Sequence, residues 1–169
     1  MTRTPPRSPL WFEDFVPGTV FATEGATITE AQILEFAFRY DPQPFHLDKQ
    51  AAEASIYGGL IASGFQTMIM AFRLWHAEKI MNPSSQGSPG LEHVRWTKPV
   101  RPGDTIRMEG EVISARPSAS RPALGVVTWD FRVSNQHAET VMSWRSTSMT
   151  LKRPENRPPE NRPPETATA

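Results

Sequence analysis

The sequence predicts an α+β fold in which an antiparallel sheet wraps around one central helix. A long apolar segment with helical spacing covers residues 62–80. After residue 90, apolar and polar residues alternate with the period of strands. A sheet with a single helix to wrap leaves its other face and its edges open, so we also expect a partner subunit.

The first half of the chain is predicted to hold a short strand and two helices ahead of the central one. A Pro-Gly turn precedes a strand near residues 19–24. A helix is expected to begin at the capping box of Thr29 and Gln32 and to stop before Pro42. Asp48 is placed to cap a second short helix.

The central helix is predicted to be buried. Its apolar residues recur at three- and four-residue steps along one face, which carries Phe65, Met68, Ile69, Phe72, Trp75 and the aliphatic stem of Lys79. Met70, Ala71 and Leu74 add apolar side chains on other faces. A helix that is apolar nearly all round is expected inside a protein rather than on its surface.

Four strands are predicted after this helix, joined by turns rich in proline, glycine and asparagine. They cover residues 91–97, 106–112, 127–133 and Thr140–Leu151. Together with the helices they form one domain over residues 11–152. Residues 1–10 and 153–169 are rich in proline and have little to bury, so we expect them to be disordered.

Composition excludes several classes of function. The chain has 169 residues with 18 basic and 18 acidic side chains, and it lacks the basic excess of a nucleic-acid-binding surface. It contains no cysteine, which excludes disulfides, thiolate catalysis and cysteine-based zinc sites. No signal peptide or apolar run of membrane-spanning length is present, so we expect a cytoplasmic protein that does not bind membranes.

The most informative segment covers residues 40–48 and reads Tyr-Asp-Pro-Gln-Pro-Phe-His-Leu-Asp. It places the carboxylate of Asp41 and the imidazole of His46 five residues apart. Pro42 and Pro44 disfavour both helix and central strand, so the segment is predicted to be a rigid loop. A rigid loop that carries an acid and an imidazole is suited to general acid–base catalysis.

Three segments in the same order resemble the MaoC-like dehydratases, relatives of the (R)-specific enoyl-CoA hydratases, which have the hot-dog fold. Residues 41–48 are similar to the family's Asp-x-Asn-Pro-x-His-x-Asp motif. Residues 57–64, Tyr-Gly-Gly-Leu-Ile-Ala-Ser-Gly, resemble Phe-Gly-x-x-Ile-Ala-His-Gly at the start of the central helix. Residues 98–104, Lys-Pro-Val-Arg-Pro-Gly-Asp, resemble the turn before the long strands.

The resemblance implies a hydratase or dehydratase acting on an acyl-CoA thioester. Asp41 and His46 would be its acid–base pair, and the backbone N–H of Gly64 would stabilise the thioester oxygen. Contacts to the substrate would come from Gln43, Tyr57, Ser63 and Phe65. The resemblance further implies no cofactor, no metal, and a homodimer or an oligomer of dimers with pockets at the subunit interface.

Some positions depart from the family pattern. Gln43 replaces the motif's asparagine, and Ser63 stands where many relatives carry histidine. Phe72 falls where the family usually has a serine further along the central helix. These departures predict a pocket of unusual shape.

Two other functions stay open. A hot-dog thioesterase would use an acidic residue on or near the central helix, where Glu78 is available. A non-catalytic acyl-CoA-binding protein would keep the fold and bind the ligand without turnover.

Several polar residues have simpler interpretations. Asp48 is read as a helix cap rather than a catalytic group, and with His46 alone it does not make up a metal site. Basic residues beside the turn could contact CoA phosphates but are more often merely solvated; they are Arg95, Lys98 and Arg101. The other histidines are expected on the surface, at an interface or in a turn; they are His76, His93 and His137.

Overall fold

The computed structural model describes residues 2–3 and 9–154. Four helices precede most of the sheet: α1 (Glu30–Tyr40), α2 (Pro44–Leu47), α3 (Lys49–Ala54) and α4 (Gly64–Ala77). The strands are β1 (Thr2–Arg3), β2 (Val20–Ala22), β3 (Ala26–Thr27), β4 (Leu91–Trp96), β5 (Thr105–Pro117), β6 (Leu124–Ser134) and β7 (Thr140–Leu151). The predicted α+β class is confirmed.

The strands form one seven-stranded sheet in the order β1-β2-β5-β6-β7-β4, with β3 paired to β5. The long strands β5, β6 and β7 are successive antiparallel neighbours. At one edge, β4 pairs with β7 alone among the described strands, and its side chains are mostly exposed. This edge keeps backbone donors and acceptors free to pair with another strand.

Aromatic side chains fill the space between α4 and the sheet. Trp75 lies edge-on to Trp129 and Phe131, with ring centroids 5.4 and 5.1 Å apart. Gly110 of β5 gives these rings room, because a Cβ there would stand 2.7 Å from Trp75. This packing fixes the position of α4, and with it the position of the helix start at Gly64.

Of the apolar face predicted for α4, Trp75 is buried but most of the other side chains are not. Phe65, Ile69 and Phe72 are 60, 59 and 52% exposed. The buried residues of the helix are Gln66, Thr67, Ala71 and Trp75. The expectation of a helix buried all round is therefore wrong for the single chain, because the sheet covers one side and leaves an apolar face open.

The start and end of α1 agree with the sequence signals. Thr29 and Gln32 form the predicted capping box, and Asp41 ends the helix just before Pro42. Asp48 caps α3 by accepting hydrogen bonds from the N–H groups of Gln50 and Ala51. The chain between α1 and α3 differs from the prediction of a loop, because residues 44–47 form the short helix α2.

The disorder predicted for the chain ends concerns mostly residues outside the described ranges, and it stays a prediction. Within those ranges, Leu10 is buried in the core. Arg153 donates to both carboxylate oxygens of Asp14 at 2.6–2.7 Å. These two positions therefore belong to the packed domain. No helix among the described residues is both long enough and apolar enough to span a membrane.

Candidate active site

A pocket of about 410 Å³ opens where the end of α1, the helix α2 and the start of α4 meet. Asp41, His46 and Gly64 all lie on its wall. The pocket is also lined by Val100, from the segment before β5, and by Val141 of β7. The structure thus brings the three residues predicted to be catalytic to one cavity.

Asp41 is held by two hydrogen bonds from neutral side chains. Its Oδ2 accepts from Ser63 Oγ at 2.6 Å, and its Oδ1 accepts from Gln43 Nε2 at 2.9 Å. Burial favours the neutral acid, but the bonds from Ser63 and Gln43, together with nearby His46, lower the pKa of Asp41 below its ordinary value. Asp41 is therefore a carboxylate across the physiological pH range.

His46 projects from α2, which begins at Pro44. Proline is tolerated at the first helical position because its missing N–H would have no intrahelical partner there. The imidazole is 4% exposed, and its Nδ1 lies 2.8 Å from the carbonyl oxygen of Ile61. A carbonyl only accepts, so Nδ1 carries the proton and Nε2 of the neutral ring is left as a base. Nε2 lies 3.5 Å from Asp41 Oδ2.

Gly64 is the first residue of α4. N–H groups in the first turn of a helix have no carbonyl partner within the helix, and the helix dipole makes that end positive. The indole of Trp96 lies against this glycine, since a Cβ at position 64 would stand 2.5 Å from its Nε1. Only glycine fits beneath Trp96 without displacing it.

The residues predicted to bind substrate differ in whether they line the pocket. Gln43, Tyr57 and Phe65 line the pocket. Ser63 is fully buried, and its hydroxyl contacts Asp41. Ser63 does not line the pocket in the structure, where its hydroxyl donates to the carboxylate of Asp41, and its role as a substrate contact stays a prediction.

Sequence reasoning missed two features of the site. The carbonyl of Ile61, which orients His46, has no sequence signal because every residue carries a carbonyl. Trp96, which lines the pocket beside Gly64, lies in a predicted strand and carries no motif that marks it as a site residue. Its place as the last residue of β4, beside the turn that leads to Val100, is the signal that could have indicated it.

The polar residues of the alternative interpretations lie elsewhere or have other partners. Glu78 ends α4 some 14 residues after Gly64, about 21 Å along the axis at ~1.5 Å per residue, and its Oε1 accepts from the N–H of Glu24. Lys98 lies on the pocket wall but pairs with Glu139. Arg101 donates to the carbonyl of Tyr57. Among the described residues, no three His, Asp or Glu side chains converge as metal ligands would.

A second hollow, of about 430 Å³, includes charged side chains of β5, β6 and β7. The carboxylate of Asp130 there accepts two hydrogen bonds from Arg145, both of 2.6 Å, and Glu109 pairs with Arg132. These charges neutralise one another in pairs. The pocket at Asp41 and His46 combines a free imidazole nitrogen with a helix start, and we identify it as the candidate site.

Comparison with known proteins identifies relatives of the whole domain. Residues 14–129 match the family described as the MaoC like domain. A crystal structure of a MaoC-like dehydratase from Rhodospirillum rubrum is 37% identical, covers 86% of this chain and 99% of its own, and superposes with a TM-score of 0.77. An uncharacterised Bacillus subtilis protein, YdeM, is 32% identical over 73% of this chain and 86% of its own length.

A mesaconyl-CoA hydratase from Cereibacter sphaeroides is 37% identical over 92 residues, which make up 53% of this chain and 26% of that enzyme. The fold is shared more widely. A Mycobacterium tuberculosis protein described as a double hot-dog fold is 17% identical, covers 89% of this chain and 47% of its own, and has a TM-score of 0.71. The predicted hot-dog fold is confirmed.

Proposed function

We propose that this chain, which belongs to the MaoC-like domain family, catalyses the reversible hydration of an enoyl-CoA thioester to a 3-hydroxyacyl-CoA. The observation that carries the proposal is the free Nε2 of a buried histidine, 3.5 Å from an ionised aspartate, on the wall of a pocket. Its relatives support this class of chemistry, since they include a MaoC-like dehydratase and a mesaconyl-CoA hydratase.

His46 is proposed as the base that activates water. As the water oxygen bonds to C3, His46 Nε2 takes one of its protons, and the electrons of the C2=C3 bond move to the thioester oxygen. The enolate then re-forms its carbonyl and takes the proton from His46 at C2. Because one nitrogen removes the proton and returns it, the hydroxyl at C3 and the proton at C2 add to the same face of the double bond. Dehydration follows the same path in reverse.

Asp41 is proposed to hold the water and to stabilise the charged imidazole. Each carboxylate oxygen can accept two hydrogen bonds, and each already accepts one. The remaining capacity lets Asp41 accept from a water in the pocket that also donates to Nε2. A group whose pKa lies below its ordinary value is a weak base. This favours His46 as the group that moves the proton.

The start of α4 is proposed to stabilise the negative charge that builds on the thioester oxygen. Gly64, the first residue of α4, lines the pocket, so the positive end of the helix dipole is close to it, and the N–H of Gly64 is the proposed donor. A donor of this kind commonly contributes about 10²–10³ to the rate. No step of the proposed reaction requires a cofactor.

A homodimer, or an oligomer of dimers, is proposed as the functional form. The apolar face of Phe65, Ile69 and Phe72 is open to water in the single chain, and so is the edge of β4. Trp96, at the end of β4, lies edge-on to Phe65 with ring centroids 5.8 Å apart, which makes the helix face and the strand edge one surface. We expect this assembly to act on its thioester in the cytoplasm.

The test is hydration of a panel of enoyl-CoA thioesters, followed by loss of the conjugated thioester absorbance. We expect turnover by the native protein and its loss in Asp41→Asn and His46→Ala, with folding retained. Asp48→Asn is the matched control, because Asp48 caps α3 and asparagine caps equally well. Unchanged turnover in both site variants would refute the proposal. Release of free thiol would identify a thioesterase, and ligand-induced thermal stabilisation without turnover would identify a binding protein.

A further inference from the structure

Four consecutive residues, Ile61–Gly64, supply three different contacts to the site. The carbonyl of Ile61 accepts from His46 Nδ1 at 2.8 Å. The hydroxyl of Ser63 donates to Asp41 Oδ2 at 2.6 Å. Gly64 then begins α4 and lies on the pocket wall. One stretch of backbone therefore contacts both the base and the carboxylate and also begins the helix.

This stretch is itself fixed on both sides. The N–H of Ala62 donates to the carbonyl of Val100 at 2.8 Å, and the N–H of Ile61 donates to the carbonyl of Phe45 at 3.3 Å. The carbonyl of Ser63 accepts from the N–H of Thr67 at 3.0 Å and from its hydroxyl at 3.2 Å. A backbone held in this way has little freedom to shift the side chain of Ser63.

The single proton of the Ser63 hydroxyl is committed to Asp41. A carboxylate accepts only, so the hydroxyl must be the donor in this 2.6 Å contact. The same oxygen accepts from the N–H of Phe65 at 3.2 Å, which makes Ser63 the N-cap of α4. Ser63 is 0% exposed, so its hydroxyl has no contact with bulk water. One buried hydroxyl thus joins the helix start to the carboxylate.

We propose that Ser63 is a positioning residue, which fixes the side chain of Asp41 relative to the start of α4 and favours its ionised form. The inference rests on the proposed function for its kinetic consequence, but its structural part stands on the contact alone. A charge-assisted hydrogen bond of this length is among the stronger ones in proteins. Without it, Oδ2 of Asp41 loses this donor and the carboxylate is held only by the bond from Gln43 to Oδ1.

The electrostatic environment of Asp41 is simple enough for a clean test. The titratable group that faces it is His46, from α2. Its other side-chain partners, Ser63 from the start of α4 and Gln43 from the segment after α1, are neutral. Removing the Ser63 hydroxyl deletes a donor that favours the ionised form, so the pKa of Asp41 must rise.

The simpler interpretation is that Ser63 serves α4 only as a helix cap. In that case its loss would lower stability, as loss of any cap does, and leave Asp41 unchanged. Thr29→Ala is the matched control, because Thr29 caps α1 by the same kind of bond to a backbone N–H at the opposite end of that helix from Asp41. Ser63→Gly complements Ser63→Ala, since glycine keeps much of the capping preference but has no hydroxyl.

The experiment is an NMR titration of the aspartate carboxyl carbons in the native protein. The chain has five aspartates, and Asp41→Asn assigns the signal by its absence. We expect Ser63→Ala and Ser63→Gly to move the Asp41 midpoint to higher pH, and Thr29→Ala to leave it in place. An unchanged midpoint in both Ser63 variants overturns the inference.

Kinetics supply the second reading. A hydrogen bond to a charged group is commonly lost at a cost of about tenfold to a hundredfold, so we expect that loss in kcat for both Ser63 variants and none for Thr29→Ala. A native protein without hydratase activity refutes the proposed function and leaves the titration valid. A native protein that is active, with Ser63 variants of unchanged kcat and midpoint, refutes the role of Ser63 alone.

Discussion

The indole of Trp96 lies against Gly64, so close that a Cβ at that position would stand 2.5 Å from the indole nitrogen. The contact joins the last residue of β4 to the first residue of α4. It explains in steric terms why the helix start carries glycine, and it makes the geometry of the proposed oxyanion donor depend on an aromatic neighbour.

Gly64→Ala is therefore expected to displace either Trp96 or the helix start. Misplacing a reacting group by about 1 Å can cost about a hundredfold in rate, and we expect a loss of that order in kcat/KM. Gly90→Ala is the control, because a Cβ there meets nothing within 4 Å. The double variant Gly64→Ala, Trp96→Ala should recover part of the loss. No recovery would mean that the indole is not the obstacle.

His46→Asn distinguishes the contribution of His46 to stability from its contribution to catalysis. The asparagine side-chain nitrogen stands near the position of Nδ1 and can still donate to Ile61, but the variant has no atom in place of Nε2. We expect thermal stability close to the native value, measured by calorimetry, and a loss of about 10²–10⁴ in kcat. Hydration that persists in this variant would assign the proton transfer to another group.

Asp41→Asn should change how stability depends on pH. The unfolded carboxyl titrates near 3.8, and the folded pKa lies lower because the donors from Ser63 and Gln43, with His46, outweigh burial. Ionised Asp41 thus stabilises the fold above about pH 4, and this contribution disappears as the pH falls through the folded pKa.

The advantage of the native protein over Asp41→Asn, measured by urea unfolding, should therefore be larger at about pH 6 than at about pH 3. Asp48→Asn, in which a different carboxylate is removed, is a useful comparison because Asp48 bonds only to backbone N–H groups among the described contacts. An advantage independent of pH would contradict the ionised state that we assign to Asp41.

The open face of α4 predicts the effect of a charge on assembly. Phe72→Glu should convert the proposed dimer to monomers in light scattering after size exclusion, because a buried unpaired carboxylate is costly. Phe38→Glu is the matched control, since Phe38 is 79% exposed on α1, away from this face. A native protein that is monomeric at micromolar concentration, or a Phe72→Glu dimer, would exclude this surface as the interface.

Much of the fold was predictable because its signals are local. The bounds of α1 follow from a capping box at one end and a proline at the other, and β7 occupies the predicted range Thr140–Leu151. The short helix α2 was missed because Pro44 was taken to disfavour a helix, whereas its position at the first turn permits one. A proline signals different structures according to where in a turn it falls.

Non-local partners account for most of what the sequence could not predict. The contact of Ser63 with Asp41 joins residues 22 positions apart, and no local pattern specifies it. The exposed face of α4 has the spacing of a buried face, and periodicity alone does not tell whether its own sheet or another surface covers it. The proximity of Asp41 and His46 was predictable because the motif holds both residues within one short segment.

The short stretch from Asp41 to Gly64 also has a consequence for how activity is lost. Asp41, His46 and Gly64 all lie on it, while the sheet is held by separate and longer strand pairings. The bond from Ala62 to Val100 ties this stretch to the turn before β5. Local opening of such a unit costs less than global unfolding. In mild denaturant, the proposed hydratase activity should therefore be lost while the backbone amides of the strands are still protected from hydrogen exchange.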